Sequence, residues 1–372
     1  MKTRIFAGDF AKALAAVAGT VDRRSLAPIL SYVRLDLFAD ELTIAGTDLD
    51  QWTSAVAPCE SLSASGAAIV PAHDLLAFVK SIDRGSSLVC SLENGVFRVE
   101  SGNGSSTFPT PPLENWPAPA AHESASSFSI PAPLLLEAFD KVATGISTEE
   151  TRYYLNGVFL HMIESGGAKK LRFVTADGYK LMRFEIDAPA SLDKLPPVII
   201  PRKAVSEMRR LLKKQTGAVE ISVCGKSTRF VFAGVELQTK NIDGSFPDYA
   251  RVIPTRNDKL LTVSRKAFVE NVKRVSSGSS KNSDKAVRMS IAPGKISLCT
   301  IDPERGDRET SMPASFNAPP LEIGFDWRYV LDILAALSGP NVETLFENAD
   351  SPTIFADPDD SRLLCVLMPR RV

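Results

Sequence analysis

The sequence predicts an α+β protein made of three similar domains, each with two helices packed on a mostly antiparallel sheet. The chain has 372 residues, more than one ordinary core holds. A strand–turn–helix segment occurs three times, and a second strand–helix segment follows each copy. Chance similarity is the alternative, but the shared order and near-constant spacing of these elements argue against it.

The first repeated element is a strand that leads through a turn into an amphipathic helix. It occupies residues 3–17, 128–142 and 261–275, with 125 and 133 residues between copies. Apolar residues recur at i, i+4 and i+7, which places them on one helical face. The predicted buried faces are Phe10, Leu14 and Val17; Leu135, Phe139 and Val142; and Phe268, Val272 and Val275.

The second repeated element occupies residues 69–82, 199–212 and 324–337, with offsets of 130 and 125 residues. Here the apolar positions are i, i+3 and i+7. The predicted buried faces are Leu75, Phe78 and Ile82; Val205, Met208 and Leu212; and Val330, Ile333 and Leu337.

Strands account for the rest of each repeat. Between the two helices, a strand ends in an aspartate turn at Asp48, Asp177 and Asp302. Alternating strands such as residues 218–240 follow the second helix. Polar, loop-like segments separate the repeats, and the predicted domains are 1–126, 127–254 and 255–372.

Composition indicates a soluble, cytoplasmic, globular protein. Hydrophobic residues make up 44% and charged residues 23%, and 43 Lys and Arg oppose 44 Asp and Glu. The five cysteines contain no CxxC pair, which favours reduced thiols. Asp9 and Lys12 interrupt the apolar N-terminal segment, so it is not interpreted as a signal peptide, and no apolar run could span a bilayer.

Positive charge is concentrated on two helices despite the net charge of −1. Residues 202–214 carry Arg202, Lys203, Arg209, Arg210, Lys213 and Lys214 against Glu207. Residues 265–285 carry Arg265, Lys266, Lys273, Arg274, Lys281 and Lys285. A solvated helix face is the plain interpretation. Recurrence in two domains favours a shared surface for phosphate backbones, without sequence preference because no base-reading motif is visible.

Two enzyme interpretations fail on spacing. The segment "GKST" at 225–228 lacks the glycine that a phosphate-binding loop needs at position 220, which is Glu220, and a strand pattern follows it. A hairpin turn is the better prediction. The three histidines are isolated, so neither a metal centre nor a His-based triad is predicted. A nucleotide-dependent enzyme built on Lys226 and a scaffold that binds only proteins remain the competing hypotheses.

Five segments closely resemble the bacterial DNA polymerase III beta subunits, the sliding clamps. They are "STEETRYYLNGVFL" (147–160), "VTADGYKLMRFEI" (174–186), "VIIPRKAV" (198–205), "NIDGSFPDYARVIP" (241–254) and "LLCVLMPRRV" (363–372). The resemblance covers all three domains. It implies a non-catalytic, cofactor-free processivity factor that forms a head-to-tail homodimeric ring of six domains, with helices lining a hole for double-stranded DNA.

The resemblance also implies DNA-facing residues. By matching motif these are Arg24, Tyr153, Tyr154, Arg202 and Lys203, and the basic helices add Lys80 and Lys273. From the residues alone, Tyr153 and Tyr154 would be half-buried strand residues. This chain has His73 and Asp74 where some relatives carry a basic pair, which removes that contact.

A second implied site is an apolar groove between the second and third domains. In the family it receives short linear motifs from the replicative polymerase, the clamp loader and repair proteins. The matching positions are Arg152, Leu155, Thr175, Gly178, Tyr179, Leu181, Pro247, Arg251, Val252, Tyr329, Val366, Met368, Pro369, Arg371 and Val372. Without the family, "LLCVLMP" would be interpreted as a core strand.

Ring closure is expected where the first domain of one chain meets the third domain of the other, edge strand to edge strand. Where some relatives carry an apolar pair, this chain reads "RVSSGSS" (274–280). The sequence therefore predicts a dimer but not its affinity. Candidates for charge pairs across the interface are Asp302, Glu304, Asp307 and Glu309.

Overall fold

A computed structural model describes residues 1–23, 27–102, 104–119, 121–277, 285–301 and 306–371. Several residues singled out above lie outside these ranges: Arg24, residues 278–280, Lys281, Asp302, Glu304 and Val372. Within the described ranges, no helix is both long and apolar enough to cross a membrane.

The α-helices of the described residues occur in pairs, one pair in each predicted domain. They are α1 (Ala7–Val17), α2 (Ala72–Lys80), α3 (Ala132–Val142), α4 (Arg202–Leu212), α5 (Arg265–Ser276) and α6 (Trp327–Ala336). The predicted buried faces of α1, α3 and α5 are confirmed, because all nine side chains are at most 1% exposed. Those of α4 and α6 are also buried.

The predicted face of α2 is wrong in two positions. Phe78 is only partly buried, and Ile82 lies beyond the end of the helix at Lys80. Leu75 is buried as predicted, and Leu76 and Val79 are buried as well. Phe78 and Ile82 pack against the same core without being fully buried.

The strands are numbered in chain order. The first domain contains β1 (Lys2–Phe6), β2 (Tyr32–Phe38), β3 (Glu41–Thr47), β4 (Gln51–Pro58), β5 (Glu60–Ser61), β6 (Gly66–Pro71), β7 (Ser87–Glu93), β8 (Val96–Ser101) and β9 (Gly104–Pro109). The second contains β10 (Ser126–Pro131), β11 (Gly157–Ser165), β12 (Ala168–Ala176), β13 (Lys180–Asp187), β14 (Val198–Pro201), β15 (Ala218–Val223), β16 (Ser227–Phe232) and β17 (Val235–Lys240). The third contains β18 (Lys259–Ser264), β19 (Ala286–Ala292), β20 (Gly294–Thr300), β21 (Arg308–Phe316), β22 (Leu321–Asp326), β23 (Asn341–Phe346), β24 (Thr353–Asp357) and β25 (Asp360–Leu367).

Two compact units divide the chain. Unit 1 comprises Met1–Leu135, Pro189–Pro196 and Ser206–Asn241. It holds a five-stranded sheet in the order β5-β1-β7-β8-β9 and an eight-stranded sheet in the order β10-β15-β16-β17-β4-β3-β2-β6. Inside the eight-stranded sheet, β17 pairs antiparallel with β4, Leu237 opposite Thr53, so strands of the second and first domains share one ladder. Phe10, Phe97 and Leu75 lie in the core of the first domain.

Unit 2 comprises Leu136–Ala188, Pro197–Val205 and Ile242–Val372. Its twelve-stranded sheet runs β14-β11-β12-β13-β25-β24-β23-β18-β21-β20-β19-β22. Here β13 of the second domain pairs antiparallel with β25 of the third, Met182 opposite Cys365. The second and third domains are thus joined by the same kind of ladder as the first and second.

The aspartate turns repeat in atomic detail. Asp48 Oδ1 accepts hydrogen bonds from the N–H groups of Asp50 and Gln51, and Asp177 Oδ1 from those of Tyr179 and Lys180. These turns satisfy backbone donors at a strand end and carry no catalytic pair of carboxylates. The third predicted turn, at Asp302, lies outside the described residues.

Candidate functional site

A cavity of about 230 Å³, which we call the groove, opens on unit 2 beside the turn between β12 and β13. It is lined by Arg152, Tyr154, Leu155, Ala176, Gly178, Tyr179, Lys180, Leu181, Phe246, Pro247, Asp248, Tyr249, Val252, Val366 and Met368. At its rim Tyr179, Val252 and Met368 are 59%, 50% and 41% exposed. A cluster of open apolar side chains marks a surface suited to a partner.

The turn between β12 and β13 forms one wall of the groove and depends on Gly178. The residue has φ of +93°, a conformation that side chains other than glycine rarely adopt. A Cβ atom there would also lie 2.6 Å from Nη1 of Arg152. Glycine therefore permits both the turn and the close approach of the guanidinium group.

Two lining residues of the groove, Phe246 and Tyr249, belong to a cluster of aromatic rings. Phe246 stacks on Phe159 with ring centroids 4.8 Å apart, and Phe159 stacks on His161 at 4.6 Å. The Tyr249 hydroxyl lies 3.0 Å from His161 Nε2 and accepts a hydrogen bond from Arg172 Nη1, also at 3.0 Å. Burial holds the pKa of His161 below its ordinary value. The neutral imidazole can then accept a hydrogen bond from the Tyr249 hydroxyl, which fixes the position of the tyrosine ring.

Each charged side chain lining the groove has an opposite charge beside it. Arg152 Nε lies 2.9 Å from Glu149 Oε2, Lys180 Nζ lies 2.5 Å from Asp332 Oδ2, and Asp248 is paired with Arg251 at 2.9 Å. The walls therefore present apolar surface with neutralised charges, which suits apolar side chains of a peptide.

Tyr329 extends the apolar surface beyond the groove. Its ring stacks on Tyr179 with centroids 6.0 Å apart, and Lys180 Nζ lies 4.6 Å from its centroid. Burial raises the pKa of Tyr329 to about 12, so its hydroxyl is neutral at physiological pH.

Backbone hydrogen bonds hold the residues after β25 in place. The N–H of Met368 donates to Tyr179 O, and the N–H of Arg370 donates to Gly324 O, both at 2.8 Å. The thioether of Met368 is left at the rim, where its flexible side chain can adapt to different ligands.

Nine of the predicted groove residues line the cavity: Arg152, Leu155, Gly178, Tyr179, Leu181, Pro247, Val252, Val366 and Met368. Arg251, Tyr329, Pro369 and Arg371 do not line it, although Arg251 and Tyr329 contact residues that do. Sequence reasoning missed Ala176, Lys180, Phe246, Asp248 and Tyr249, and it assigned Tyr154 to DNA. Each missed residue lies within two positions of a predicted one, so the predicted segments surround the cavity although not all of their predicted side chains line it.

Thr175 is the prediction that the structure corrects. Its side chain is fully buried, and its hydroxyl donates to Val142 O at 2.8 Å, at the end of α3. Thr300 makes the same bond to Val275 O at 2.7 Å, at the end of α5. The position therefore binds the end of the first helix in the second and third repeats.

The predicted DNA residues of the second domain lie together. The N–H of Arg202 donates to Asn156 O at 2.9 Å, and Gly157 lies opposite Pro201 in the β11–β14 ladder. This brings the 3-10 turn Tyr153–Leu155 next to the start of α4. Tyr153, Arg202 and Lys203 are exposed, whereas Tyr154 is half-buried and lines the groove.

The other basic residues fall into two groups. Lys80 and Lys273 are exposed at the C-terminal ends of α2 and α5. Arg265, counted above in the basic segment, is not available on that surface, because its Nε donates to Gly339 O at 2.7 Å beyond the end of α6. This role depends on the position of α6, which the sequence does not reveal.

The "GKST" segment is the predicted hairpin turn. The N–H of Cys224 donates to Ser227 O at 2.9 Å, and β15 and β16 pair antiparallel on either side. A strand instead of a helix follows the lysine, so the geometry of a phosphate-binding loop is not present.

Comparisons with known proteins agree with the repeat. Models of the DNA polymerase III beta subunit family match three consecutive segments, the N-terminal domain at residues 1–120, the central domain at 129–248 and the C-terminal domain at 250–371. The beta sliding clamp of Caulobacter vibrioides strain NA1000 is 36% identical over 374 residues, which cover 100% of both chains. That of Pseudomonas aeruginosa strain PAO1 is 30% identical over 361 residues, 97% of each chain.

A solved structure gives the same result. The crystal structure of the sliding clamp from Bartonella birtlesii, bound to griselimycin, matches with a TM-score of 0.97 at 35% identity and covers 100% of both chains. The chain therefore belongs to the DNA polymerase III beta subunit family, and it is a sliding clamp, the non-catalytic processivity factor of that polymerase.

Proposed function

We propose that two copies of this chain close a six-domain ring around duplex DNA in the cytoplasm, with domains ending near residues 126 and 254. The ring would slide without sequence preference and carry its partners in the groove. The observation that carries this proposal is the way the repeats join edge to edge.

The same strands join successive repeats in both units. In unit 1 the last strand of the second repeat, β17, pairs with β4 of the first. In unit 2 the last strand of the third repeat, β25, pairs with β13 of the second. In the first repeat the last strand is β9, and in the third repeat the strand equivalent to β4 and β13 is β21; neither takes part in such a junction within the described part of the chain. If the same pairing joins two copies, β9 of one copy pairs with β21 of the other, which closes a head-to-tail ring.

Both strands have an edge suited to this pairing. β9 stands at the end of its five-stranded sheet. Among the described residues, Arg308–Ala314 of β21 pair on one side with β20, and β18 pairs only with Ser315 and Phe316. Unpaired strand edges are templates for another chain. Exposed Glu309 and Asp307 would lie at this junction.

The DNA-facing surface is supported by the second repeat. Tyr153, Arg202 and Lys203 are exposed at one end of the β11–β14 pair, and Lys273 is exposed on α5. Lysine and arginine neutralise phosphates without reading bases. Enclosure by a ring makes tight contacts unnecessary, so weak electrostatic contacts allow sliding. We include Arg24 by its motif alone.

The groove is proposed to bind short linear motifs of the replicative polymerase, the clamp loader and repair proteins. Its apolar walls, paired charges and exposed Met368 support a peptide with apolar anchors, and an adaptable rim suits several partners. Pro369 and Arg371 would extend the surface, and Val372 is included by its motif alone.

Topological retention tests the ring. The protein is loaded on closed circular DNA by its clamp loader, and the bound fraction is measured before and after the DNA is linearised. We expect retention on the circle and rapid loss on linear DNA. Equal retention on both would indicate simple electrostatic binding, and no association at low salt would indicate a scaffold that binds only proteins.

A further inference from the structure

In unit 1, a cation of one repeat binds the end of a helix of another. Arg210 Nη2 of α4 donates to Ala16 O, in the last turn of α1, at 2.7 Å. Arg210 is held by Glu207, whose Oε2 accepts from its Nε at 3.0 Å. The Glu207 carboxylate is buried against Gly19, where a Cβ atom would lie 2.3 Å from Oε1. Glycine at position 19 therefore makes room for the carboxylate that positions the cation.

In unit 2, a second cation plays the same part. Lys141 of α3 is only 7% exposed, and its Nζ lies 2.5 Å from Ala336 O and 2.5 Å from Ser338 Oγ, at the end of α6. Carbonyl groups at the C-terminus of a helix lack helical partners and carry the negative end of the helix dipole. A cation there makes charge-assisted hydrogen bonds.

The two contacts occupy equivalent positions of the repeat. Ala16 and Lys141 each follow the first residue of their helix by nine positions. Arg210 and Ala336 follow the first residues of α4 and α6 by eight and nine positions. The end of the first helix of one repeat thus meets the end of the second helix of the next, and one of the two supplies a cation.

The third repeat has a residue ready for this contact. Arg274 follows the first residue of α5 by nine positions, as Lys141 does in α3. It is exposed, and its Nη1 lies 3.4 Å from Thr310 Oγ1 on β21, the strand proposed to close the ring. The positions equivalent to Arg210 and Ala336 in the first repeat are Lys80 and Ser81, exposed at the end of α2.

We infer that Arg274 of one copy donates to the backbone carbonyls at Lys80 and Ser81 of a second copy. We call this contact the clasp. It rests on the proposed ring and would hold that ring closed. It also assigns Lys80, predicted above as a DNA contact, to the junction between copies. A second copy is favoured over DNA as the partner of Arg274 because its repeat equivalents, Ala16 and Lys141, both lie at junctions between repeats.

The test is the dimer dissociation constant, measured without DNA by sedimentation equilibrium over a dilution series. Loss of a charge-assisted hydrogen bond weakens association about tenfold. A two-subunit ring has two identical junctions, so Arg274→Ala should raise the constant about a hundredfold. Arg274→Lys, which keeps the charge, should restore most of the affinity. Lys266→Ala, on the exposed face near the start of α5, is the matched control and should change it less than about twofold.

The outcomes separate the clasp from the ring. A wild-type protein that stays monomeric at all concentrations would overturn the proposed ring. If the wild type dimerises, and Arg274→Ala raises the dissociation constant no more than Lys266→Ala does, the clasp is refuted while the ring is not. Urea unfolding midpoints of the monomers check that each variant is folded. If Arg274→Ala is not folded, Arg274→Gln is used in its place.

Discussion

Gly178 shows how one residue shapes the groove. Its positive φ and the guanidinium group of Arg152 both exclude a side chain. We expect Gly178→Ala to weaken binding of a polymerase-derived peptide at least fivefold, because the added methyl group would displace Arg152 from the groove wall and a cost of about 1 kcal/mol corresponds to about fivefold in affinity. Fluorescence anisotropy with a labelled peptide measures this.

A matched glycine separates the local effect from general strain. Gly166, in the turn between β11 and β12, has φ of +60°, and a Cβ atom added there would have no other atom within 4 Å. Gly166→Ala should reduce stability but leave peptide affinity unchanged. Equal losses of affinity in both variants would contradict the proposed role of the Gly178 turn.

His161 makes the ring cluster beside the groove sensitive to pH. Burial holds its pKa below the ordinary value of about 6.5, so the unfolded chain binds this proton first as the pH falls. The contribution of His161 to the free energy of unfolding is therefore fully present at pH 7 and is lost as the pH falls below about 6.5. Protonation also removes the acceptor for the Tyr249 hydroxyl.

Urea titrations between pH 7.5 and 5 measure this dependence. The free energy of unfolding should fall with pH more steeply in the wild type than in His161→Gln. An unchanged slope in His161→Gln would contradict the assignment.

At this scale the sequence predicts segments better than side chains. The matching motif assigns Thr175 to the groove, yet its hydroxyl binds Val142 O. The sequence does not distinguish Tyr154 from Tyr153, since only the 3-10 turn decides which ring faces the groove. Which side of a turn a residue occupies depends on packing against distant chain segments, and those contacts leave no local pattern.

Among the elements, the strand ladders specify how β9 and β21 would pair. Thr53, Met182 and Arg308 share one repeat position. They lie opposite Gly46, Thr175 and Thr300, which stand two residues before Asp48, Asp177 and Asp302 in the sequence. Leu237, Cys365 and Ser106 share another, because they lie opposite Phe230, Phe355 and Val99. Through one further strand the ladders connect these three residues to Phe128, Leu261 and Thr3, the first residues of the first repeated element. Leu237 faces Thr53 and Cys365 faces Met182, so Ser106 should face Arg308 of the second copy.

A disulfide tests this register. Directly opposed residues have Cα atoms within bridging distance, so Ser106→Cys with Arg308→Cys should give a covalent dimer on a non-reducing gel. Neighbouring residues point to opposite faces, so Ser105→Cys with Arg308→Cys should not. Both cysteine pairs are introduced into a variant in which the partly exposed Cys59, Cys224 and Cys299 are replaced with serine, so that these thiols cannot form disulfides. Cross-linking of the shifted pair alone would refute the register.

Helical periodicity identifies the elements themselves. The i, i+4, i+7 pattern predicts the buried faces of α1, α3 and α5 correctly, because all of the residues at these positions are buried. The pattern of the second helix is less accurate at Phe78 and Ile82, which are only partly buried, and Ile82 lies beyond the end of α2 at Lys80. Where a helix ends depends on its caps and on the chain that follows, which a periodic pattern does not record.

For the whole molecule, charge reversal tests the DNA-facing surface. Arg202→Glu combined with Lys203→Glu should shorten retention on circular DNA about tenfold at low salt, because phosphate neutralisation is replaced by repulsion. Single-molecule residence times over a salt series measure the effect. Lys169→Glu with Lys170→Glu, both at the start of β12, makes the same change in net charge and should have little effect. Unchanged residence of the first variant would remove its two residues from the surface.

The repeat is visible in the sequence, whereas the joining of repeats is not. Two helices per repeat and their spacing follow from local patterns, and a net charge of −1 still leaves the basic face of α4 recognisable. The pairing of β17 with β4 and of β25 with β13 joins strands far apart in the chain. Contacts at such separations depend on how complete domains fit together, so they emerge only in the structure.

The strand ladders that join the repeats indicate where a closed ring would open to let DNA enter. The β17–β4 and β13–β25 ladders each align five residue pairs, and both also have covalent connections along the chain. A seam between two subunits has no covalent connection and can separate without unfolding either subunit. The ring should therefore open at a β9–β21 seam, and the clamp loader would need to separate only one of the two seams.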